Sequence, residues 1–401
     1  MMYQYQVKKT FKDRFSNIYK ISVFVYVINS MHPWFLLSIP QIWISITFFF
    51  ITWIAFKKRY FKCSRRAGTA FCFTLMFVWV KKDGNVFGLM EGVLNAFLFA
   101  TILGLNRERI LDILSFITKW LAIVVLISMV FYVLFLLGVS LPHYTLALSG
   151  NSRKEALENY YFFVHAYNLY GSIRFNSIFL EPGYLTLGVA PLLFIHKYNV
   201  KNKYVFILLL SQLLSFSLAG LILLAFGFLY CMFCSNERRN ISRIISGVII
   251  LLISIFLLYN FFGENYFNEK IFSRLQLVDG DFSIKERSSL YLDGVYDKMI
   301  NSNKKWFGTT FDVSFSEKGV SGYKLFAVRN GIIGILLVFL AYVSLISYKR
   351  IRFNYMTGFI ILCLLLLYQN SYPEAMCILF TGACAVYALD NENIYEMIPK
   401  K

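Results

Sequence analysis

The run YVFILLLSQLLSFSLAGLILLAFGFLYCMF, residues 204–233, decides how this chain is organised. It is continuously apolar, too long for one upright membrane helix of about 20 residues and too short for two full ones. Both flanks are basic, with Lys197, Lys201 and Lys203 before it and Arg238, Arg239 and Arg243 after it. Positive charge marks cytoplasmic loops, so two basic flanks mean that the run enters and returns. Ser215-Phe-Ser-Leu-Ala-Gly220 at its midpoint offers the small residues that such a turn needs. The expectation is a hairpin of two short helices.

Similar runs recur on either side. Taking spans of about 17–25 apolar residues, they fall at 21–37, 38–56, 67–80, 86–105, 117–138, 182–196, 204–216, 218–233, 244–262, 326–347, 355–369 and 376–389. Charged residues make up 15% of the chain and hydrophobic ones 58%, whereas soluble domains carry about a quarter charged. The expected fold class is therefore all-α: one polytopic membrane domain over residues 1–401, with about twelve transmembrane helices. The basic N-terminus (Lys8, Lys9, Lys12, Arg14, Lys20) leads straight into the first run with no small-residue cleavage site, which reads as an uncleaved anchor.

The hairpin puts two long polar loops on one face, at 139–181 and 263–325. The second carries as many acidic residues (Glu264 to Glu317) as basic ones (Lys270 to Lys324). The short segment Lys57, Lys58, Arg59, Lys62, Arg65, Arg66 has no acid at all. That contrast assigns the long loops to the outside, the periplasm in a bacterium, and locates the chain in the inner membrane. Net charge is +18, and its gathering in short loops argues for topology and against a nucleic-acid partner.

Metal and nucleophile motifs are poor. His32, His143, His165 and His196 are scattered without ligand spacing, so no metal or other cofactor is expected. Asp279-Gly-Asp281 resembles a fragment of a cation loop but reads better as a polar turn. The seven cysteines lie in or at the ends of apolar runs, which does not suit a disulfide framework, and Cys231-x-x-Cys234 lacks the strand–helix context of a redox motif. No internal repeat or pair of interrupted helices suggests a transporter. Glu91 is almost alone as a charge within the runs, so polar chemistry is expected in the outward loops.

The most informative of these polar stretches is Arg174-Phe-Asn-Ser-Ile-Phe-Leu-Glu181-Pro182-Gly183. Pro182 suits the first turn of a helix, and Glu181 then sits at the positive end of its dipole, as a cap or as a functional group. An arginine, a carboxylate and exposed helical N–H groups together could hold a phosphate and a sugar hydroxyl.

At this stretch the chain resembles the Wzy-type O-antigen and capsule repeat-unit polymerases, relatives of the O-antigen ligases. The resemblance rests on Arg174–Gly183, on Ser217-Leu-Ala-Gly220, and on the long loop before Asn330-Gly-Ile-Ile-Gly334. It implies a GT-C-like glycosyltransferase that is metal-independent. Donor and acceptor would both be undecaprenyl-pyrophosphate-linked oligosaccharides, joined at the periplasmic face. It also implies a lipid environment, with a chain-length regulator and a flippase as partners. Glu181 becomes the candidate catalytic residue, with His143 and His165 as alternatives. Arg174, Arg287, Arg274 and Arg329 become candidate pyrophosphate contacts, Arg287 because Glu286-Arg287-Ser288-Ser289 matches the family's loop arginine. Residues 314–334 hold no histidine where the ligases carry one, which favours polymerase over ligase. A flippase of lipid-linked oligosaccharide is the alternative from another class.

Overall fold

The computed structural model describes residues 14–58, 60–61, 65–80, 86–146, 157–166, 174–234, 277–278, 281–282, 290–311, 322–345, 355–369 and 376–389. The described chain is mostly helical. In order come α1 (Arg14–Asn29), α2 (Gln41–Lys57), α3 (Arg65–Val80), α4 (Val86–Leu103), α5 (Arg107–Leu136), α6 (Pro182–Ile195), α7 (Lys203–Leu214) and α8 (Leu218–Cys234). They are followed by α9 (Leu290–Ile300), α10 (Gly322–Val343), α11 (Tyr355–Gln369) and α12 (Met376–Ala388). Two of these helices, α5 with 30 residues and α10 with 22, are long and apolar enough to cross a membrane. The other apolar helices run from 12 residues in α7 to 18 in α4. The expected span at 244–262 lies outside the described residues.

The run 204–233 does turn back on itself. Helix α7 ends at Leu214 and α8 begins at Leu218; between them Phe216 takes φ 45. The direction of each helix follows from its contacts with α6. Gln212, late in α7, donates to Thr186 Oγ1 early in α6 at 3.0 Å, and Gly220, early in α8, lies against the same two side chains. Gly227, farther along α8, lies against Tyr198 and Phe194 at the far end of α6. So α7 runs antiparallel to α6, and α8 parallel to it.

Helix α6 is the centre of the molecule. Every residue from Leu185 to Ile195 is buried, as expected for a helix that is apolar all round. It packs against α7, α8, α11 and α12, while α5 packs on α1, α7 and α12. The apolar side chains of these helices form one continuous core, from Tyr19 of α1 to Leu389 just past α12. A small second core joins Leu292 and Met299 of α9 to Phe311, Leu325 and Val328.

The structure departs from the sequence expectation most in three places. The first run was expected at 21–37, but α1 stops at Asn29; Pro33 disfavours helix in the residue before it, and residues 34–36 form a separate 3-10 turn. Helix α5 starts at Arg107, ten residues before the expected 117, because its polar first turns find partners: Asp112 pairs with Lys20 and Arg109 lies 3.7 Å above the Tyr60 ring. The long loops also carry structure of their own. The first holds an antiparallel meander, β1 (Tyr144–Leu146), β2 (Leu157–Asn159) and β3 (Val164–Ala166), with Tyr144 opposite Asn159 and Leu157 opposite Ala166. The second holds α9 and a short pair, β4 (Leu277–Val278) and β5 (Asp281–Phe282), with Val278 opposite Asp281; Asp279 and Gly280, where a polar turn was expected, lie outside the described residues.

Candidate functional site

The stretch 174–183 crosses the head of α6 and is fastened from three sides. Phe175 N–H donates to Leu214 at the end of α7 at 3.4 Å. Val164 of β3 donates to the Ser177 carbonyl at 2.8 Å, and Ser177 Oγ donates to Ser128 Oγ of α5 at 2.9 Å. The corner between α1 and α2 supplies the third set: Trp34 N–H donates to Ile178 at 3.1 Å, Leu180 N–H donates to His32 at 3.4 Å, and Pro33 bridges Phe179. The reason for this path is hydrophobic. Phe175 and Phe179 are wholly buried, and burying side chains of that size stabilises by about 1.5–3 kcal/mol each. Two polar ends, Arg174 and Glu181, are thereby held on a short rigid strap.

Glu181 is the residue before the first turn of α6, with φ −139 and ψ 150, and Pro182 is the first helical residue. Its side chain makes no capping hydrogen bond and is exposed. Capping alone therefore does not account for a carboxylate here. Arg174 is half-buried, and its Nε donates to no acceptor among the described residues. A buried donor without a partner costs about 1–3 kcal/mol, a cost that an incoming anion would relieve.

One turn into α6, Thr186 begins a buried polar cluster. Thr186 Oγ1 donates to the Pro182 carbonyl at 3.0 Å, so the hydroxyl has only acceptor capacity left for Gln212 Nε2. Gln212 Oε1 and Asn176 Oδ1 are buried without a donor among the described residues. Gly220 is required here because a Cβ would strike Gln212 Nε2 and come within 2.8 Å of Thr186 Oγ1. Arg174–Gly183 and Ser217–Gly220, far apart in the chain, thus meet at the head of α6.

The remaining expected residues are distributed differently. Arg329 stands on α10 just before a break at Gly331, and the main neighbours of α10 are α3, α9 and α11. Its Nε is buried. Arg274 and Arg287 lie outside the described residues. His143 is exposed, with its ring 5.0 Å from that of Tyr160. His165 is buried on β3 against Phe135, and burial pushes its pKa down against an opposing pull from Glu158. The histidine at the head of α6 is His32, whose ring lies 4.6 Å from that of Tyr184. Nothing in the sequence pairs it with Glu181, since the two are joined only through the folded corner at 32–34. No family model, no curated protein and no solved structure matches this chain.

Proposed function

We propose that this chain is a polytopic protein of the bacterial inner membrane that polymerises polysaccharide repeat units. It would transfer a growing glycan from its undecaprenyl pyrophosphate to the terminal sugar of a second lipid-linked unit at the periplasmic face. The carrying observation is the strap at the head of α6, which holds an arginine with an unmatched donor and an exposed carboxylate on one short stretch, next to a buried polar cluster. A pyrophosphate leaving group calls for the first and an acceptor hydroxyl for the second. The lipid setting is supported by the outer faces of the helices. Trp43, Phe50, Trp53 and Phe56 on α2, Trp79 on α3 and Phe233 on α8 are all exposed, between 48% and 78%. Apolar surface on that scale needs a lipid or protein covering.

In this reading Arg174 holds the donor pyrophosphate, joined by Arg287 in preference to Arg274 and Arg329. Glu181 takes or orients the acceptor hydroxyl. The donor is already activated, so the chemistry asked of the protein is positioning, charge stabilisation and proton handling. The missing histidine at 314–334 sets this reading above the ligase.

Deleting the gene and resolving the surface polysaccharide on a gel tests the function. Loss of the ladder with retention of a single repeat unit on lipid A-core is the expected result; loss of every unit points instead to the ligase or the flippase.

Two narrower predictions follow from the same site. In a background without native cysteines, Thr145→Cys and Asn301→Cys should react with an impermeant thiol reagent in spheroplasts, and Asn199→Cys at the other end of α6 should not. Labelling of Asn199→Cys together with protection of Asn301→Cys would reverse the proposed orientation. Arg174→Ala removes a charge-assisted contact of about 1.5–3 kcal/mol, and so lowers polymer yield by roughly one to two orders of magnitude. Arg174→Lys should recover only part of this, because lysine lacks the two-pronged geometry of guanidinium. A normal ladder from Arg174→Ala at normal abundance would take Arg174 out of the site.

A further inference from the structure

His32 ends α1 in a backbone conformation that side chains seldom adopt, with φ 54. Its N–H donates to Asn29 at 3.0 Å, closing the helix. A left-handed residue after a helix is ordinary, but glycine or asparagine is the usual choice. Here the ring has a definite berth as well. It lies tilted against the ring of Tyr184, 4.6 Å between centroids, in the first turn of α6, whose N–H donates to the Glu181 carbonyl at 3.1 Å. The His32 carbonyl accepts from Leu180, the residue before Glu181. The imidazole is thus fixed beside the same turn that carries Glu181, by backbone contacts on one side and a ring contact on the other.

Resting on the glycosyl-transfer reading above, we propose that His32 is a catalytic residue of this site, taking the proton of the acceptor sugar hydroxyl while Glu181 orients that hydroxyl. In the step, the acceptor O–H bond breaks and its proton goes to the imidazole. The freed oxygen forms a bond to the donor's anomeric carbon. The bond from that carbon to the pyrophosphate oxygen breaks, and its electron pair leaves with the lipid pyrophosphate. The proton then passes from the imidazole to water. A base must be neutral to serve, and burial holds the His32 pKa below the usual histidine value, so the ring is uncharged at neutral pH. Tyr184 is the titratable side chain that the adjoining turn of α6 presents to it.

The alternative is that His32 only closes α1, and substitution separates the two. His32→Gly suits the left-handed backbone and removes the ring, leaving a space of imidazole size. His32→Asn also tolerates that backbone. Each full-length variant is reconstituted in vesicles containing the undecaprenyl-pyrophosphate-linked repeat unit, and addition of a second unit is timed. Both variants should lose roughly 100-fold or more in kcat, with KM little changed, and added imidazole should restore His32→Gly. A wild-type rate in either variant overturns the proposal, as does a slow His32→Gly protein that imidazole leaves slow. A wild-type chain that adds no second unit under the same conditions overturns the transfer reading itself, and the role of His32 with it.

Discussion

Replacing Glu181 by glutamine or asparagine should lower the rate of repeat-unit addition by about two orders of magnitude, while the protein reaches the membrane at wild-type abundance. The second half of this expectation follows from geometry. Helix caps contribute about 0.5–2 kcal/mol when their side chains bond the first-turn N–H groups, and the Glu181 side chain makes no such bond. Pro182 remains in place to start α6 in either variant. Residues from Leu185 onward are buried whatever stands at 181, so α6 keeps its core in either variant. The first half follows from chemistry, because an amide keeps the shape but cannot carry the negative charge that draws on a hydroxyl proton. The measurement is addition of a second unit by purified protein in vesicles, with abundance followed on immunoblots. A wild-type rate in both variants would leave the carboxylate without a role in the reaction.

The largest effect on stability is expected at Gly331. Helix α10 is interrupted there, with φ 61 and ψ −171, a region that essentially only glycine occupies and that costs other residues about 1–3 kcal/mol. Space is as restrictive as the torsion. A Cβ at 331 would stand 2.5 Å from Gly308 N and from the Trp306 carbonyl oxygen, both backbone atoms that cannot swing aside. The break exists to admit that backbone: Ile333 N–H donates to Trp306 at 3.0 Å, and Thr309 N–H donates to Val328 at 2.6 Å. Gly331→Ala must therefore pull the 306–309 segment off α10, and a total stability of about 5–15 kcal/mol leaves little margin for it. Low yield and a thermal midpoint depressed by several degrees are expected in detergent. Gly294→Ala is the control, since that glycine lies within α9 with nothing within 4 Å of its would-be Cβ. Removing a helical glycine should stabilise by about 0.5–1 kcal/mol. Equal behaviour of the two variants would show that the break at Gly331 is not structurally required.

The hairpin at 204–233 was legible because charge at both flanks and small residues at the midpoint are local signals. So was the start of α6, where Pro182 fixes the boundary. The polar first turns of α5 were not, because apolarity begins only near 117 and their partners Lys20 and Tyr60 come from elsewhere in the chain. Helix α9 and the meander at 144–166 were hidden in segments whose polarity reads as loop; they are ordered by contacts such as Lys324 to Asp293 at 2.5 Å and Asn159 Nδ2 to Tyr144 Oη at 2.8 Å. At the site, the sequence placed Arg174 and Glu181 on one short stretch, and the fold fastens that stretch at the head of α6. His32 could not be found in the same way, since only the tertiary corner at 32–34 brings it to Tyr184.

The shortness of the two helices beside the site has a consequence for the bilayer proposed around it. Helix α7 has 12 residues and α6 has 14, so at about 1.5 Å per residue they rise roughly 18 and 21 Å. The hydrocarbon layer is about 30 Å thick. In the proposed orientation, with Lys197, Lys201 and Lys203 placing the turn between them at the cytoplasmic surface, the opposite ends would stop well below the outer headgroups. Lipid bordering α7 would then dip toward the protein, at a modest energetic cost for each ångström of mismatch. Glu181 and Arg174 would lie at the bottom of that dent. A lipid carrier sliding along its floor would bring its pyrophosphate to the arginine without being lifted out of the membrane, while the attached glycan stays in water.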